Sequence, residues 1–383
     1  MARIIDAPAG GNCETVTQGK WGRLDGAAKR GLKYDAQVKA ETDHLYAKVA
    51  HVVPEFEWPA YAPLIAAINR LKAQKDAVIL AHNYMTSEIF HCVGDFRGDS
   101  LALAREAART KAKVIVQAGV HFMAETSKIL SPEKTVLIPD MRAGCSLAAS
   151  ITGEDVRLIK QRFPGLPVVT YVNTSADVKA ESDITCTSSN AVQVVESIAK
   201  QWGVDRVIML PDEFLAKNVA AQTGIRIIAW HGRCEVHERF TAEDVAELRL
   251  AHPGVIVLAH PECPQDVVAA SDYAGSTAAL QAYVEKNKPG KVVLLTECSM
   301  SDNVAASSPA TDFVRPCNLC PHMKRITLEG IYDCLLEMTH EVVVEESIRV
   351  RAKAAIDAML ALPKPERPLD FQTGLKPALV EVV

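Results

Sequence analysis

The chain has 383 residues, of which 48% are hydrophobic and 23% charged, and its formal net charge at pH 7 is −5. This composition is typical of a globular protein with room for two or three domains. The negative net charge argues against nucleic acid or an anionic membrane as a partner, so small-molecule chemistry is the favoured class of function.

The first residues, MARIIDAPAGGNCETV, contain no basic segment followed by an apolar core. No apolar run reaches the roughly 18 residues that a membrane span requires. We therefore predict a cytoplasmic protein. Its ten cysteines are scattered along the chain. In a reducing compartment they stay thiols, so a functional cysteine is expected to be a metal ligand or a nucleophile and the others to pack in the core.

Short apolar runs alternate with helix-length segments from about residue 60 to residue 340, after a predicted helix from about Asp35 to Val53. Apolar runs that are continuous rather than alternating indicate parallel strands covered on both faces. The sequence therefore predicts an α/β fold. The runs begin at Ala77, Val114, Val136, Val168, Val207, Ile225, Val255 and Val292.

Three sets of residues recur with a period of 86 to 89 residues, which is longer than the repeat of a solenoid. The sets are the strand ends His82, Tyr171 and His260, the serines Ser100, Ser188 and Ser276, and the cysteines Cys145, Cys234 and Cys320. Because three independent markers share one period, we infer three αβα domains with parallel sheets. We expect pseudo-threefold symmetry to arrange them around a central active-site cavity.

Each of the three serines is predicted to open a helix. Parallel sheets bind ligands beyond the carboxyl ends of their strands, where helix N-termini offer unpaired N–H groups and partial positive charge. Serine is also a preferred N-cap for local reasons worth about 1 kcal/mol. The threefold recurrence favours the interpretation as three anion sites.

The three periodic cysteines converge on one point if the domains pack around a threefold axis. Three thiolates without a fourth equivalent suit a [4Fe-4S] cluster with one open iron, or a zinc site with an exchangeable water. The single CxxC, from Cys317 to Cys320, lacks the second pair of a zinc ribbon and the setting of a thioredoxin-like dithiol. The residues alone leave both metal centres open.

The chain resembles the quinolinate synthase family through motifs that occur in order from about residue 62 to residue 340. They are HNY, GDSLALA, VHFMAETSKIL, YVNTSADVKA, CTSSNA, GRCEVH, HPEC, GSTAAL and CPHMKRITLE. The resemblance implies a [4Fe-4S] cluster on Cys145, Cys234 and Cys320 that acts as a Lewis acid. It also implies the condensation of iminoaspartate with dihydroxyacetone phosphate to quinolinate, phosphate and water in NAD biosynthesis. One departure is Val314, where some members have a further cysteine before Cys317.

Roles for single residues follow from the same resemblance. Glu262 is expected to be the main general acid/base, since a buried carboxylate tends to have a raised pKa. The other expected catalytic residues are His82, Tyr84, His237 and His260. Substrate binding is expected of His82, Ser100, Tyr171, Asn173, Ser188, His260, Glu262, Ser276 and Thr277.

The predicted domains are 62–145, completed by C-terminal helices in 321–362, then 146–234 and 235–320. An extension of residues 1–61 precedes them and a tail of residues 363–383 follows. The expected partners are iminoaspartate, dihydroxyacetone phosphate and an L-aspartate oxidase as a functional partner, with no nucleic acid and no membrane.

Two other classes of protein share part of this pattern. A zinc-dependent class II-type aldolase has an α/β fold and phosphate-binding helix ends, but usually has histidine or carboxylate ligands. An iron–sulfur sensor uses three cysteines but has no use for three anion-binding serines. The iron-to-sulfide ratio of anaerobically purified protein separates a cluster from zinc.

Overall fold

The computed structural model describes residues 24–363, 371, 373, 375, 378 and 380–383. Parts of the predicted N-terminal extension and C-terminal tail, and Cys13, lie outside the described residues. Within them, no helix combines the length and apolar character that crossing a bilayer requires.

The N-terminal helices pack against the first sheet unit. They are α1 (Gly26–Lys29), α2 (Ala36–Tyr46) and α3 (Trp58–Lys75), with a 3-10 turn at Glu55–Glu57. The helix predicted from about Asp35 begins there, because the Asp35 carboxylate caps it by accepting a hydrogen bond from Val38 N–H. It ends at Tyr46, earlier than predicted, and α2 packs against α3.

The first sheet contains four parallel strands in the order β2-β1-β3-β4. They are β1 (Ala77–His82), β2 (Phe96–Gly98), β3 (Val114–Ala118) and β4 (Thr135–Leu137). The helices between them are α4 (Ser87–Cys92), α5 (Ser100–Arg109) and α6 (His121–Leu130). All five residues of β3 are buried, as expected for a strand covered on both faces.

The second sheet contains five parallel strands in the order β13-β8-β7-β5-β6. They are β5 (Val168–Tyr171), β6 (Ile184–Cys186), β7 (Arg206–Leu210), β8 (Arg226–Ala229) and β13 (Glu381–Val382). The helices α7 (Ser146–Ala149) and α8 (Gly153–Arg162) precede this sheet, and α9 (Ala176–Ala180), α10 (Ala191–Trp202) and α11 (Glu213–Ala220) connect its strands.

The third sheet repeats the order of the first, as β10-β9-β11-β12. Its strands are β9 (Ile256–Ala259), β10 (Tyr273–Ala274), β11 (Lys291–Leu295) and β12 (Asp312–Val314). A 3-10 turn at His237–Arg239 and helix α12 (Ala242–Ala251) precede it, and α13 (Gln265–Ala270), α14 (Thr277–Asn287) and α15 (Ser299–Ser307) connect its strands.

All three units therefore share the chain order βαβαβαβ and the same strand order, apart from the added β13. The predicted α/β class with three parallel sheets is confirmed. Parallel strands place all their carboxyl ends at one edge of each sheet, where ligands bind. The residues at the ends of β1, β5 and β9 (82–85, 171–174 and 260–263, called the strand exits below) lie at these edges.

The C-terminal helices, both predicted to complete the first domain, pack mainly against two different units. After a 3-10 turn at Met323–Arg325, α16 (Leu328–Glu337) packs against α3 of the first unit. Helix α17 (Glu346–Leu360) instead packs against α9 and β6 of the second unit, where Thr185 donates a hydrogen bond to the Ala355 carbonyl. The apolar face of an amphipathic helix indicates that this face is buried, but it does not indicate which sheet it packs against.

Candidate active site and metal centre

One cavity of about 720 Å³, its mouth included, lies where the three units meet. Its lining contains residues of all three strand exits and all three periodic cysteines. Of the residues predicted for the site, those that line it are His82, Tyr84, Ser100, Cys145, Tyr171, Asn173, Ser188, Cys234, His237, His260, Glu262, Thr277 and Cys320. Ser276 is not among the lining residues.

A continuous chain of hydrogen bonds joins side chains from the three units. The Tyr171 hydroxyl donates to Glu262 Oε1 at 2.5 Å, and His237 Nδ1 lies 2.7 Å from Glu262 Oε2. On the other side of the ring, His237 Nε2 lies 2.9 Å from Thr296 Oγ1, which lies 2.5 Å from the Tyr84 hydroxyl. A proton can therefore be exchanged between Glu262 and Tyr84 without bulk water.

The pKa of Glu262 differs from the sequence-based expectation. Burial alone raises the pKa of its carboxyl group, but the charges of His237 and His260 and the hydrogen bonds from His237 and Tyr171 outweigh it. They hold the pKa below its ordinary range. The expected raised pKa is wrong, because two of these groups come from other parts of the chain. At neutral pH Glu262 is a carboxylate and can accept a proton.

The histidines of the first and third strand exits are neutral at pH 7. Burial lowers the pKa of His82 to about 4 and that of His260 to about 3. In each exit a backbone N–H two residues later donates to the ring Nδ1, at 3.2 Å from Tyr84 and 3.4 Å from Glu262. With Nδ1 as an acceptor, each ring carries its proton on Nε2, which makes it a neutral hydrogen-bond donor.

Rings stack along the same wall of the cavity. His237 stacks on His260 with 4.7 Å between the ring centroids, and Tyr84 contacts His82 edge-on at 4.7 Å. Burial raises the pKa of Tyr84 and of Tyr171 well above the ordinary tyrosine value, so both phenols keep their protons. The wall therefore presents protonated phenols and the neutral imidazoles of His82 and His260 beside the carboxylate of Glu262.

The periodic cysteines follow the fourth strand of each unit or the turn after it. Cys145 is the N-cap residue of α7, whereas Cys234 and Cys320 each precede a 3-10 turn by three residues. In all three units the chain then enters a helix that a threonine caps. These threonines are Thr152, Thr241 and Thr327. The repeated connection explains why residues far apart in sequence reach the same cavity.

The thiols fit a bound metal centre. Burial raises the pKa of Cys145 to about 12 and that of Cys320 to about 11, and raises the pKa of Cys234 well above the ordinary value. Buried thiols of this kind become thiolates when a cation binds them, since a metal deprotonates a coordinating thiol. Their charges also act on one another, from Cys145 to Cys234 and from Cys320 to Cys145. The three thiols can thus serve one metal centre.

A second donor set overlaps with the first. Cys234 Sγ, a nitrogen of His237 and an oxygen of Glu262 all lie within 4.8 Å of one another. His237 Nδ1 is 3.1 Å from Cys234 Sγ. This mixed set is compatible with a metal ion, as is the set of three thiols.

The remaining cysteines near the cavity do not line it. Cys263 is buried and its thiol donates to the Leu295 carbonyl at 3.4 Å. The sulfur atoms of Cys298 and Cys317 lie 3.9 Å apart. These contacts leave Cys145, Cys234 and Cys320 as the lining cysteines among the described residues.

The serines, each predicted to open a helix, occupy three different positions relative to their helices. Asp99 caps α5, so Ser100 is the first residue within that helix. Ser188 lies before α10, whose N-cap is Asn190. Only Ser276 is an N-cap, and its hydroxyl accepts from Ala279 N–H. Ser100, Ser188 and Thr277 line the cavity, so the helix ends face it although the caps differ.

Several residues were missed at the sequence level. Thr296 and Glu297 follow β11 and so lie at a strand end, a signal that would have found them. Glu297 is fully buried and accepts a hydrogen bond from Lys324 Nζ at 2.7 Å. Lys324 also donates to the Tyr84 carbonyl at 2.8 Å. This ion pair fixes the first strand exit beside the segment that carries Cys320.

Comparisons with known proteins identify the family of this chain. Residues 66–361 match a family model described as quinolinate synthetase A protein. The chain is 64% identical over 338 residues to a quinolinate synthase of Caulobacter vibrioides, covering 88% of this chain and 92% of that protein. It is 66% identical over 318 residues to quinolinate synthase 2 of Mesorhizobium japonicum, covering 83% and 97%. Because these matches extend over most of the chain, it belongs to the quinolinate synthase family.

Proposed function

We propose that this protein condenses iminoaspartate with dihydroxyacetone phosphate, forming quinolinate (pyridine-2,3-dicarboxylate), phosphate and water as a step of NAD biosynthesis. The observation that carries this proposal is the single cavity that combines three periodic thiols with the Tyr171–Glu262–His237 hydrogen-bonded group. A metal centre and a proton-transfer group at one place suit a condensation that also eliminates water.

The helix ends and neutral hydrogen-bond donors around the cavity are suited to anionic substrates. No lysine or arginine is among the described residues that line it. Anions must therefore be bound by helix N-termini, hydroxyl groups and neutral imidazole N–H groups. Helices α5, α10 and α14 begin beside Ser100, Ser188 and Thr277, respectively. Their N–H groups and partial positive charge are suited to two carboxylates and a phosphate.

We assign Cys145, Cys234 and Cys320 as the residues that would hold a [4Fe-4S] cluster. When bound, such a cluster supplies a Lewis acid through the iron that no cysteine ligates, which polarises a substrate oxygen or nitrogen. The supporting observation is the donor set, three half-buried thiols that line the cavity without a fourth lining cysteine among the described residues.

Glu262 is the proposed general base. Its carboxylate is buried, ionised and hydrogen-bonded on both oxygens, so it accepts a proton from bound substrate at Oε1 or Oε2 while Tyr171 and His237 adjust their hydrogen bonds. Passing that proton through His237 and Thr296, while Tyr84 gives its own proton to a substrate oxygen that leaves as water, restores the carboxylate. Such positioned groups typically contribute a factor of about 10² to 10⁴ in rate.

We assign the orientation of the substrate to the other residues of the strand exits. His82 and His260 offer Nε2–H donors to substrate oxygens, and Asn173 Oδ1 is a buried acceptor with no hydrogen-bond partner in the described structure. An unpaired buried polar atom on the cavity wall is available to a ligand. We assign Asn173 to a substrate N–H or hydroxyl group.

The partners and location are part of the same proposal. Iminoaspartate would be supplied by an L-aspartate oxidase, in the cytoplasm, and no nucleic acid or membrane is involved. The net charge of −5 supports this, because polyanionic partners would be repelled.

A zinc enzyme is the competing function, favoured by the mixed set Cys234, His237 and Glu262. The deciding experiment purifies the protein without oxygen and measures iron, sulfide and zinc together with quinolinate formation from the two substrates. We expect iron and sulfide in equal amounts and quinolinate as the product. Zinc without sulfide, or no quinolinate, would contradict the proposal.

Single cysteine variants test the ligand assignment. Cys145→Ser, Cys234→Ser and Cys320→Ser should each lose sulfide and activity, because each removes one of only three ligands. Cys317→Ser is the matched control, since Cys317 belongs to the same CxxC but does not line the cavity. Retention of the cluster in Cys320→Ser with its loss in Cys317→Ser would reverse the assignment.

A further inference from the structure

The third strand exit is held by one amide from the second unit. Asn218, on α11, donates from Nδ2 to the Pro261 carbonyl at 2.8 Å and to the Cys263 carbonyl at 2.9 Å. These two carbonyls flank Glu262. Asn218 is buried, so both amide hydrogens are used inside the protein. Glu262 therefore lies in a loop that is fixed on both sides by a single side chain.

The first strand exit is held in the same way from the third unit. Asn303, on α15, donates from Nδ2 to the Asn83 carbonyl at 3.0 Å and to the Met85 carbonyl at 2.8 Å. These carbonyls flank Tyr84, as the other pair flanks Glu262. Asn303 Oδ1 in turn accepts from the Ser87 hydroxyl at 2.9 Å, which fixes the direction of its amide.

The second strand exit uses a cation instead of an amide. Lys179 Nζ donates to the Val172 carbonyl at 2.9 Å and to the Thr174 carbonyl, the two that flank Asn173. Glu125, on α6 of the first unit, accepts from Ala176 N–H at 3.1 Å, and its charge stabilises that of Lys179.

The side chains that cross between units lie at equivalent places in the fold. Glu125, Asn218 and Asn303 lie on α6, α11 and α15, the helices that follow the third strand of each unit. Asn218 and Asn303 each reach the strand exit of the next unit, from the second to the third and from the third to the first. Glu125 instead contacts Ala176, just beyond the second exit, whose carbonyls are held by Lys179 of the same unit. If these contacts served packing alone, the carbonyls that they bind would not need to lie on either side of Tyr84, Asn173 and Glu262, the residues that line the cavity. The contacts therefore fix the backbone on both sides of these three cavity residues.

We propose that Asn218 and Asn303 are positioning residues for the reaction, which act through Glu262 and Tyr84, respectively. This inference rests on the proposed function. The side chain of Glu262 meets His237 and Tyr171, which belong to other segments, at 2.7 and 2.5 Å. Such short contacts require that the loop be placed to within a fraction of an ångström. Misplacement by about 1 Å can reduce turnover by about 10²-fold.

The test is a pair of double-mutant cycles on the anaerobically prepared holoprotein, with kcat, KM and sulfide content measured for each variant. Asn218→Ala should lower kcat by about 10- to 100-fold in the wild-type background while sulfide stays unchanged. In a Glu262→Gln background the same substitution should lower kcat less than about threefold, because the group it positions no longer transfers protons. Asn218→Ser, which retains one donor, should recover part of the loss.

The second cycle exchanges the partners. Asn303→Ala should lower kcat by no more than Tyr84→Phe does and should be non-additive with it, and its coupling to Tyr84→Phe should exceed its coupling to Glu262→Gln. Asn69→Ala is the matched control, since Asn69 Nδ2 also donates from a helix to a backbone carbonyl, that of Cys92, away from the cavity. It should lower thermal stability without lowering kcat.

Each outcome decides the question. Effects of Asn218→Ala that multiply with those of Glu262→Gln, or a loss of sulfide in Asn218→Ser, would overturn the positioning role and leave a structural one. Wild-type protein that makes no quinolinate would instead contradict the proposed function, and the cycles would then give no coupling to explain. Should Asn218→Ala fail to fold, the cycle runs with Asn218→Ser.

Discussion

The strand exits of the first and third units have the same backbone and opposite chemistry. Each begins with a buried histidine whose Nδ1 accepts the N–H two residues later, and each is held by an asparagine from the preceding unit. The residue that donates this N–H is Tyr84 in the first unit and Glu262 in the third. Tyr84 keeps its proton, whereas Glu262 is ionised.

The comparison indicates how a repeated fold acquires an acid and a base. The scaffold places three equivalent side chains around one cavity, and the identity of each side chain together with its neighbours decides which of them carries charge. The neighbours of the two side chains also differ, because His237 contacts Glu262 directly but reaches Tyr84 only through Thr296. Substitutions at the two exits should therefore have unequal effects.

Glu262→Gln should have the largest effect on turnover. The substitution keeps the size of the side chain and one acceptor oxygen but removes the group that binds a proton, so kcat should fall by about 10² to 10⁴. The quantities to measure are kcat, sulfide content and the affinity for quinolinate, of which the last two should change little. Near-normal kcat with an intact cluster would leave His237 or Tyr84 as the proton carrier.

Tyr84→Phe should have a smaller effect on the same reaction. It removes one hydroxyl from the end of the hydrogen-bonded chain, and Thr296 keeps His237 as a partner. A single hydrogen bond contributes about 0.5 to 1.5 kcal/mol, so we expect a loss of up to about tenfold in kcat/KM. A loss as large as that of Glu262→Gln would instead mean that the two exits are chemically equivalent.

The sequence predicted the scaffold better than the interactions between its units. The period of about 88 residues predicted the cavity, because the strand exits of parallel sheets meet ligands at one edge. The pKa of Glu262 was not predictable, since His237 and Tyr171 approach it from segments whose placement depends on how the units pack. Helix α17 likewise presents an apolar face that does not identify the second sheet as its partner.

The sequence pattern also did not predict which residue caps each helix. A serine recurs every 88 residues, but the residue that caps the helix is Asp99 in the first unit and Ser276 in the third. An N-cap is defined by backbone geometry at a single residue, and a shift of one position changes which side chain faces the helix and which faces the cavity. Periodicity alone does not resolve that shift.

Ser276→Ala tests this last difference and should have the smallest effect. Ser276 caps α14 and does not line the cavity, so its loss should reduce the free energy of unfolding by about 1 kcal/mol. Affinity for quinolinate should stay within about twofold of the wild type, because Thr277 and the helix N–H groups remain in the cavity wall. Thermal unfolding and a binding titration of the anaerobic protein measure both quantities.

Ser100→Ala is the matched variant from the first unit. Asp99 keeps the cap of α5, while a hydroxyl is removed from the cavity, so affinity should fall and stability should not. A loss of affinity in Ser276→Ala equal to that in Ser100→Ala would show that the two helix ends bind the ligand in the same way.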